Sequence, residues 1–467
     1  MAIGRLRQKR QKGLDWILVT LYLSLVFIGW LMLYSTVYDE SNPYAFLDPS
    51  TQIGIQTLWV LIALFGFVLT LTIDWKFWNT FAYPIYMVTI LALVLVLIIG
   101  SEIKGAKSWF SIGGASLQPS EFAKFGTALA LSSFTAFYKS NLDNTKTFLV
   151  SLGIIVLPMF LILLQPDAGS ALIFLSFFIL FFRLGLSATY YVLGFTLIFI
   201  FILSLIFGPT IVSLEVISIG TLFLIVTRKQ KKRTLILTVV GMLLMLFVLY
   251  HINPLAAIGL ATIMFLIYLV IYAKERKYRQ VILVGFGVTL SVAFGQGTSY
   301  AFNNFLKPHQ QDRINTWLRP ELCDPRGPLY NIIQSKMAIG SGGLKGKGFL
   351  DGTMTKLNYV PEQTTDFIFS TVGEEQGFLG ALGIIIIFTL MVIRMTVIAE
   401  RAKSPFIRNY AYCIAGIFFL HYFINIGMTM GLMPIVGIPL PFLSKGGSSL
   451  LGFTILIGTL IKMDWDR

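Results

Sequence analysis

Ionisable side chains in this chain gather in a few short stretches between long apolar runs. The richest stretch is Asn303 to Asp366. It carries Asp312, Glu321, Asp324, Asp351, Glu362 and Asp366 among Lys307, Arg313, Arg319, Arg326, Lys336, Lys345, Lys347 and Lys356. Carboxylates can take or give protons as general bases or acids, and cationic side chains can neutralise a departing phosphate. The same stretch holds Gly340, Gly342, Gly343, Gly346, Gly348 and Gly352. Successive backbone N–H groups there, with Lys345 and Lys347, could cradle an anion such as a diphosphate. The plainer alternative is a flexible hairpin, because glycine spacing alone is a weak signal.

Asp324 is followed by Pro325 and the Arg326-Gly327 step. Asp before Pro commonly opens a turn. With basic neighbours beside a membrane, it also suits a base acting on a lipid-linked substrate. Farther on, Thr371 and Glu374 have the spacing of a capping box, a structural role. Glu362 and Asp366 fit no such cap.

Three other polar stretches stand out. The run 101–124, SEIKGAKSWFSIGGASLQPSEFAK, brings Lys104, Lys107, Trp109 and Phe110 to the start of a helix at Pro119-Ser120-Glu121. Ser120 reads as an N-cap, Glu121 suits the helix dipole and Trp109 suits an interfacial anchor. Lys124 lies a turn into an apolar span and shares a face with Glu121; charges at such depth usually pair and often mark function. Gln165-Pro166-Asp167 reads either as a tight turn or as a carboxylate facing a polar cavity. The last stretch, 425–449, is rich in Pro and Gly and contains Asn425, Ser444, Lys445 and Ser448. Irregular backbone at membrane depth is tolerated where protein buries it or where it lines a cavity.

Other chemistries lack their residues. His251, His309 and His421 are far apart and form no metal motif. No Walker-type loop and no G-x-S-x-G is present. Cys323 and Cys413 give no disulfide framework.

The elements that must position these residues are membrane helices. The chain has 467 residues, 56% hydrophobic and 12% charged, which excludes a soluble globular domain. The reading is an all-α polytopic membrane protein with about 14 spans. They fall near 15–37, 53–73, 78–99, 121–138, 147–164, 169–184, 189–208, 210–227, 233–250, 255–273, 280–299, 367–396, 406–430 and 447–463. The basic start, MAIGRLRQKRQKG, leads into a long run without a small-residue cleavage site, read as an uncleaved first helix. With that start inside, Lys139, Lys146, Arg183, the 228–233 and 274–279 clusters, Arg394, Arg401, Lys403 and Arg408 fall on the same side. Both termini are then cytoplasmic, and the net charge of +14 speaks for inside loops rather than nucleic acid. The expected organisation is a single integral membrane domain, 1–467, with a large extracytoplasmic loop at 300–366.

Together these stretches resemble the SEDS family (shape, elongation, division and sporulation). The residues that carry the likeness are KGAKSWFSIGGASLQPSEFAK at 104–124, QPDAGSAL at 165–172, IGSGGLKGKG at 339–348, PEQTTDFIFSTVGEEQG at 361–377, NIGM at 425–428 and PIVGIPLPFLSKGGSS at 434–449. The 339–348 stretch resembles the RodA-like branch, which serves elongation and cell shape, more than the division branch. The resemblance implies a SEDS-type helical bundle of about ten family helices, with about four more inserted at 210–300. It implies an inverting peptidoglycan glycosyltransferase that joins lipid II into β-1,4 glycan strands at the outer face of the bacterial cytoplasmic (inner) membrane. Its expected partners are lipid II, the nascent glycan strand and a class B penicillin-binding protein, the transpeptidase. By resemblance Asp324 is the catalytic aspartate. Glu121, Lys124, Asp167, Glu362 and Asp366 line the central cavity, with Lys107, Trp109, Arg313, Lys345 and Lys347 as further substrate-binding candidates. A divalent cation, Mg or Mn, is the one cofactor candidate, its ligands unknown; no organic cofactor is expected. Two departures stand out: Pro328 and Leu329 precede Tyr330 where relatives have a Gly–Tyr step, and Lys445 replaces a residue often aromatic. A lipid-precursor flippase or other transporter is the alternative, since Glu121, Lys124 and Asp167 within spans would suit one. The long charged outer loop favours the polymerase.

Overall fold

The computed structural model describes residues 13–466 apart from 104, 113–114, 138–143, 229–231 and 325. Lys104, Lys139, Lys229, Lys231, Pro325 and the basic residues of 1–12 therefore lie outside the described residues, as does the side chain of His309. The chain forms two compact units, one of residues 1–186 with 325–467 and one of 187–324.

The first unit begins with α1 (Trp16–Thr36), α2 (Gln52–Thr72), α3 (Trp75–Thr80) and α4 (Ala82–Ile99). A three-stranded antiparallel sheet follows: β1 (Ser101–Ile103), β2 (Ala106–Ile112) and β3 (Ala115–Leu117). Then come α5 (Pro119–Phe137), α6 (Thr145–Leu163), α7 (Ala168–Ile173) and α8 (Phe178–Arg183), the last two separated by a 3₁₀ turn. The second unit is α9 (Ala188–Phe207), α10 (Pro209–Thr227), α11 (Lys232–Ile252), α12 (Pro254–Lys274), α13 (Tyr278–Asn304) and α14 (Pro308–Leu318). The first unit resumes with α15 (Pro328–Ser341), α16 (Thr353–Lys356), α17 (Ile368–Arg401), α18 (Pro405–Thr429) and α19 (Gly447–Trp465).

Among the described residues twelve helices are long and apolar enough to cross a membrane: α1, α2, α4, α6, α9 to α13 and α17 to α19. Two of the fourteen expected spans do not meet that measure. α5 carries Glu121 and Lys124, and the 168–183 stretch is broken by the 3₁₀ turn. The expected polar loop at 300–366 is partly helical, because α13 runs on to Asn304 and α14 to α16 lie within it.

Helix starts follow local chemistry. Asp15, Thr51, Asp74, Asn144 and Asp167 each accept a backbone N–H from the first turn they precede. Within the first unit, polar rungs join α5 to α18. Lys124 meets His421, Ser132 lies 3.8 Å from the Cys413 sulfur, and Asn409 Nδ2 donates to Thr135 Oγ1 at 2.8 Å. Such bonds hold membrane helices together, since lipid offers the same groups no partner. Where α1, α17 and α19 converge, Asp15 receives Arg394 Nε at 3.0 Å and Arg401 Nη2 at 2.5 Å, and Arg401 also binds Asp464. Arg394 and Arg401 lie about two turns apart on one face of α17.

The second unit has its own core of Leu224, Ile225, Ala261, Phe265 and Tyr272. Tyr272 Oη donates to the Leu224 carbonyl at 2.7 Å and Ser204 Oγ to the Gly295 carbonyl at 2.7 Å. Arg319 donates to the Ile206 carbonyl, which ties the end of α14 to the end of α9.

Candidate active site

The buried centre of the first unit is an ion pair. Lys124 Nζ lies 2.8 Å from Glu121 Oε2, and the two side chains are 1% and 2% exposed. The spacing seen in the sequence puts both on one face of α5, turned inward. Phe122 and Phe125 of the same helix turn the other way and line an apolar cavity of about 770 Å³ with Leu69, Val88, Leu451 and Ile455. Leu117 of β3 borders this cavity, so the sheet sits at one of its ends.

A non-helical segment, 431–446, gathers most of the other polar stretches of this unit. His421 Nδ1 lies 3.2 Å from the Pro439 carbonyl oxygen, and Asn425 Nδ2 donates to the carbonyls of Asp366 and Ile438 at 2.9 and 2.7 Å. Ser444 Oγ donates to the Thr365 carbonyl at 2.6 Å, and Lys445 N to the Thr364 carbonyl at 2.8 Å. The turn bearing Glu362 and Asp366 is thus stitched to this segment. Lys445 Nζ donates to Gln52 Oε1 at 3.0 Å, reaching α2. Two glycines allow the close approach. A Cβ on Gly29 would stand 2.2 Å from the Phe442 carbonyl oxygen, and one on Gly169 2.3 Å from that of Val436.

Asp167 sits beside this segment. One carboxylate oxygen caps α7 through Ser170 N at 3.0 Å, and the other accepts Gln118 Nε2 at 2.9 Å. The turn reading is met, with the second carboxylate oxygen engaged by Gln118. Glu362 is exposed, has φ of +57°, and accepts Thr365 Oγ1 at 3.0 Å. A left-handed glutamate is uncommon and strained, a state that concentrates at functional sites. Asp366 is half-buried. Lys107 Nζ donates to the Ile98 carbonyl at 2.9 Å and so caps the end of α4. Trp109 is half-buried in β2, opposite Ser101.

The anion beside the glycine-rich stretch 340–352 is the Glu374 carboxylate, and it is held by the Lys347 side chain and by donors at 354–355 rather than by the glycine amides. This carboxylate is fully buried and accepts Lys347 Nζ at 2.6 Å, Met354 N and Thr355 N at 2.9 Å, and Thr355 Oγ1 at 2.7 Å. The capping box read from Thr371 and Glu374 is not formed. α17 starts at Ile368, three residues before Thr371, so Glu374 lies inside the helix and turns to the loop instead. α17 breaks at Gly377, with φ 64° and ψ −162°. In an unbroken helix Phe378 and Leu379 would donate to the carbonyls of Glu374 and Glu375. Here those carbonyls accept Lys347 N and Gly348 N at 3.0 Å, while Phe378 N and Leu379 N donate to Gly343 and Leu344 at 2.9 and 3.2 Å. The sequence signal for this break is Gly377 in the run EEQGFLG, and a glycine within a helical pattern is a weak signal. Glu375, 1% exposed and bonded to Ser35 Oγ of α1, was likewise missed.

Asp324 is the last residue of the second unit and is exposed. The preceding Cys323 is tucked under α14, its sulfur 3.6 Å from Thr316 Oγ1. Arg313 and Lys345 are exposed, each within its own unit, and form no ion pair among the described residues. Among the described residues no three His, Cys, Asp or Glu side chains gather as metal ligands, so a cage made of protein side chains alone does not fit.

Comparison with known proteins decides the family. The model of the FtsW/RodA/SpoVE cell cycle protein family matches residues 15–219 and 211–467. The chain belongs to this family. It is 32% identical over 454 residues to the peptidoglycan glycosyltransferase RodA of Treponema pallidum, covering 96% of this chain and 97% of that one. It is 30% identical over 385 residues to the peptidoglycan glycosyltransferase MrdB of Escherichia coli K12, covering 82% and 77%. The fold is similar to a chain of a peptidoglycan synthase complex that coordinates polymerization and crosslinking, with TM-score 0.60 and 22% identity over 97% of this chain and 98% of that one. The rod shape determining protein RodA of Thermus thermophilus gives TM-score 0.55 and 22% identity over the same shares. These two likenesses speak for the SEDS bundle alone, and they agree with a multi-pass membrane protein.

Proposed function

We propose that this chain is a peptidoglycan glycosyltransferase of the RodA type, acting in cell elongation and shape. Its curated relatives carry that activity. The observation that supports it within the fold is on α5, where Phe122 and Phe125 face an apolar cavity while Glu121 and Lys124 pair inward against His421. A lipid-linked sugar diphosphate has the same two-sided character. We further propose lipid II as the substrate and a class B penicillin-binding protein as the partner that cross-links the product, with both termini cytoplasmic and the polar segments on the outer side of the inner membrane.

In this reading Asp324 is the general base. It takes the proton of the acceptor sugar's 4-hydroxyl, whose oxygen attacks the anomeric carbon of the donor. The new β-1,4 bond forms as the α-linked diphosphate leaves on its lipid. An exposed cation such as Arg313, in the same unit as Asp324, is suited to neutralise that leaving group. The membrane holds both lipid tails and so supplies part of the orientation.

The test is a polymerisation assay with labelled lipid II, using purified protein with its cognate transpeptidase, beside Asp324→Ala. A positioned base contributes about 10²- to 10⁴-fold in rate, so the variant should lose that much. Near-normal glycan from Asp324→Ala would move the base to Asp366 or Glu362. No glycan from the wild type, with the partner bound, would sink the polymerase reading in favour of lipid flipping in vesicles.

A further inference from the structure

His421 is the one histidine of the chain buried in the first unit, 1% exposed in α18. Both of its ring nitrogens are engaged. Nε2 lies 2.9 Å from Lys124 Nζ, and Nδ1 lies 3.2 Å from the Pro439 carbonyl oxygen. An ammonium only donates, so Nε2 accepts and Nδ1 carries the proton that goes to the carbonyl. A single neutral tautomer, assigned from this network, satisfies both bonds. Two of the three donors of the Lys124 ammonium are taken. Glu121 takes one donor at 2.8 Å, His421 takes another, and the Phe453 ring lies 4.8 Å away. At 1% exposure Lys124 is shielded by these neighbours.

Pro439 belongs to the segment stitched to the Glu362–Asp366 turn through Asn425, Ser444 and Lys445. We propose that His421 is a positioning residue for glycosyl transfer: its imidazole registers the Pro439 carbonyl, and with it the Glu362–Asp366 turn, against the Glu121–Lys124 pair. This rests on the polymerase reading above. The imidazole is a two-ended spacer, accepting at one nitrogen and donating at the other. A glutamine amide has the same pair of functions on a side chain of similar reach, whereas leucine has neither.

The experiment uses full-length protein with its transpeptidase and lipid II, in wild-type, His421→Gln and His421→Leu forms. Two readouts are taken: kcat and KM for lipid II, and amide hydrogen exchange across 434–446 without substrate. His421→Leu should lower kcat about 10- to 100-fold, the scale of a small misplacement of reacting groups, with KM within about twofold. It should also raise exchange across 434–446, and His421→Gln should restore both. If His421→Leu is not recovered folded, His421→Met, apolar and adaptable, takes its place. Wild-type kcat in the apolar variant overturns the proposal. So does a Gln variant as impaired as the apolar one, or a rise in KM at constant kcat. Should wild type make no glycan, the polymerase reading fails, while unchanged exchange in the apolar variant would still overturn the registration.

Discussion

Gly377 and Gly346 meet backbone to backbone: a Cβ on Gly377 would stand 2.2 Å from the Gly346 nitrogen. Gly377 also has φ 64° and ψ −162°, a region essentially confined to glycine. Gly377→Ala is therefore expected to destabilise the protein by at least about 1–3 kcal/mol from strain alone. Thermal unfolding of the purified variant measures it, and an unchanged midpoint would refute the close packing.

Glu121 and Lys124 should behave as a unit. Removing one partner of a buried pair typically destabilises by about 3–5 kcal/mol, because the other charge is left uncompensated. Lys124→Leu should fall in that range. Glu121→Leu with Lys124→Leu should recover more than half of the loss yet leave polymerisation impaired. A double-mutant cycle on unfolding midpoints decides, and strict additivity would count against coupling.

Glu374 should matter to its loop more than Lys347 does. Glu374→Ala leaves the amides of Met354 and Thr355 and the hydroxyls of Thr353 and Thr355 without this acceptor. Hydrogen bonds to a charged group are worth about 1.5–3 kcal/mol each. The expected outcome is protease cleavage within 347–358 in Glu374→Ala and little in Lys347→Met. Equal resistance in both would show that the loop is held otherwise.

Asp15 predicts an acid limit to stability. Burial alone would raise its carboxyl pKa, but hydrogen bonds from Arg394 and from Leu18 N, with the Arg401 charge, hold it below the usual 3.8. A folded-state value below the unfolded one gives stability that is fully present above 3.8. It is lost as pH falls through the lowered value. Unfolding midpoints should be flat near neutrality and drop in that acid window, and Asp15→Asn should flatten that part of the drop.

The spans were legible because a lipid-facing helix requires little beyond apolar length. Glu121, Lys124 and Asp167 were legible because charge inside such runs is rare and demands partners. The partners were not. Lys124 finds His421 almost 300 positions away, and a lone histidine in an apolar run carries no spacing signal. Glu374 has the spacing of a capping residue, and only the actual start of α17 at Ile368 reveals that it faces a loop instead. The sheet at 101–117 did leave a trace, the Gly113-Gly114 pair between two apolar-polar alternations, which suits a hairpin. The segment 431–446 was recognised as irregular from its prolines and glycines, but its role in joining helices depends on carbonyls, which no sequence displays.

The broken α17 fixes what this unit can do mechanically. Four backbone bonds cross between 343–348 and 374–379, two donated from each side. Two of them end on carbonyls of the buried Glu374 and Glu375, which would lose their donors on release. The loop and the short helix 368–376 therefore move as one block. Any flexing that accompanies strand growth falls to the connections on either side of that block, and the chain has in effect traded a bendable helix for a dovetail joint.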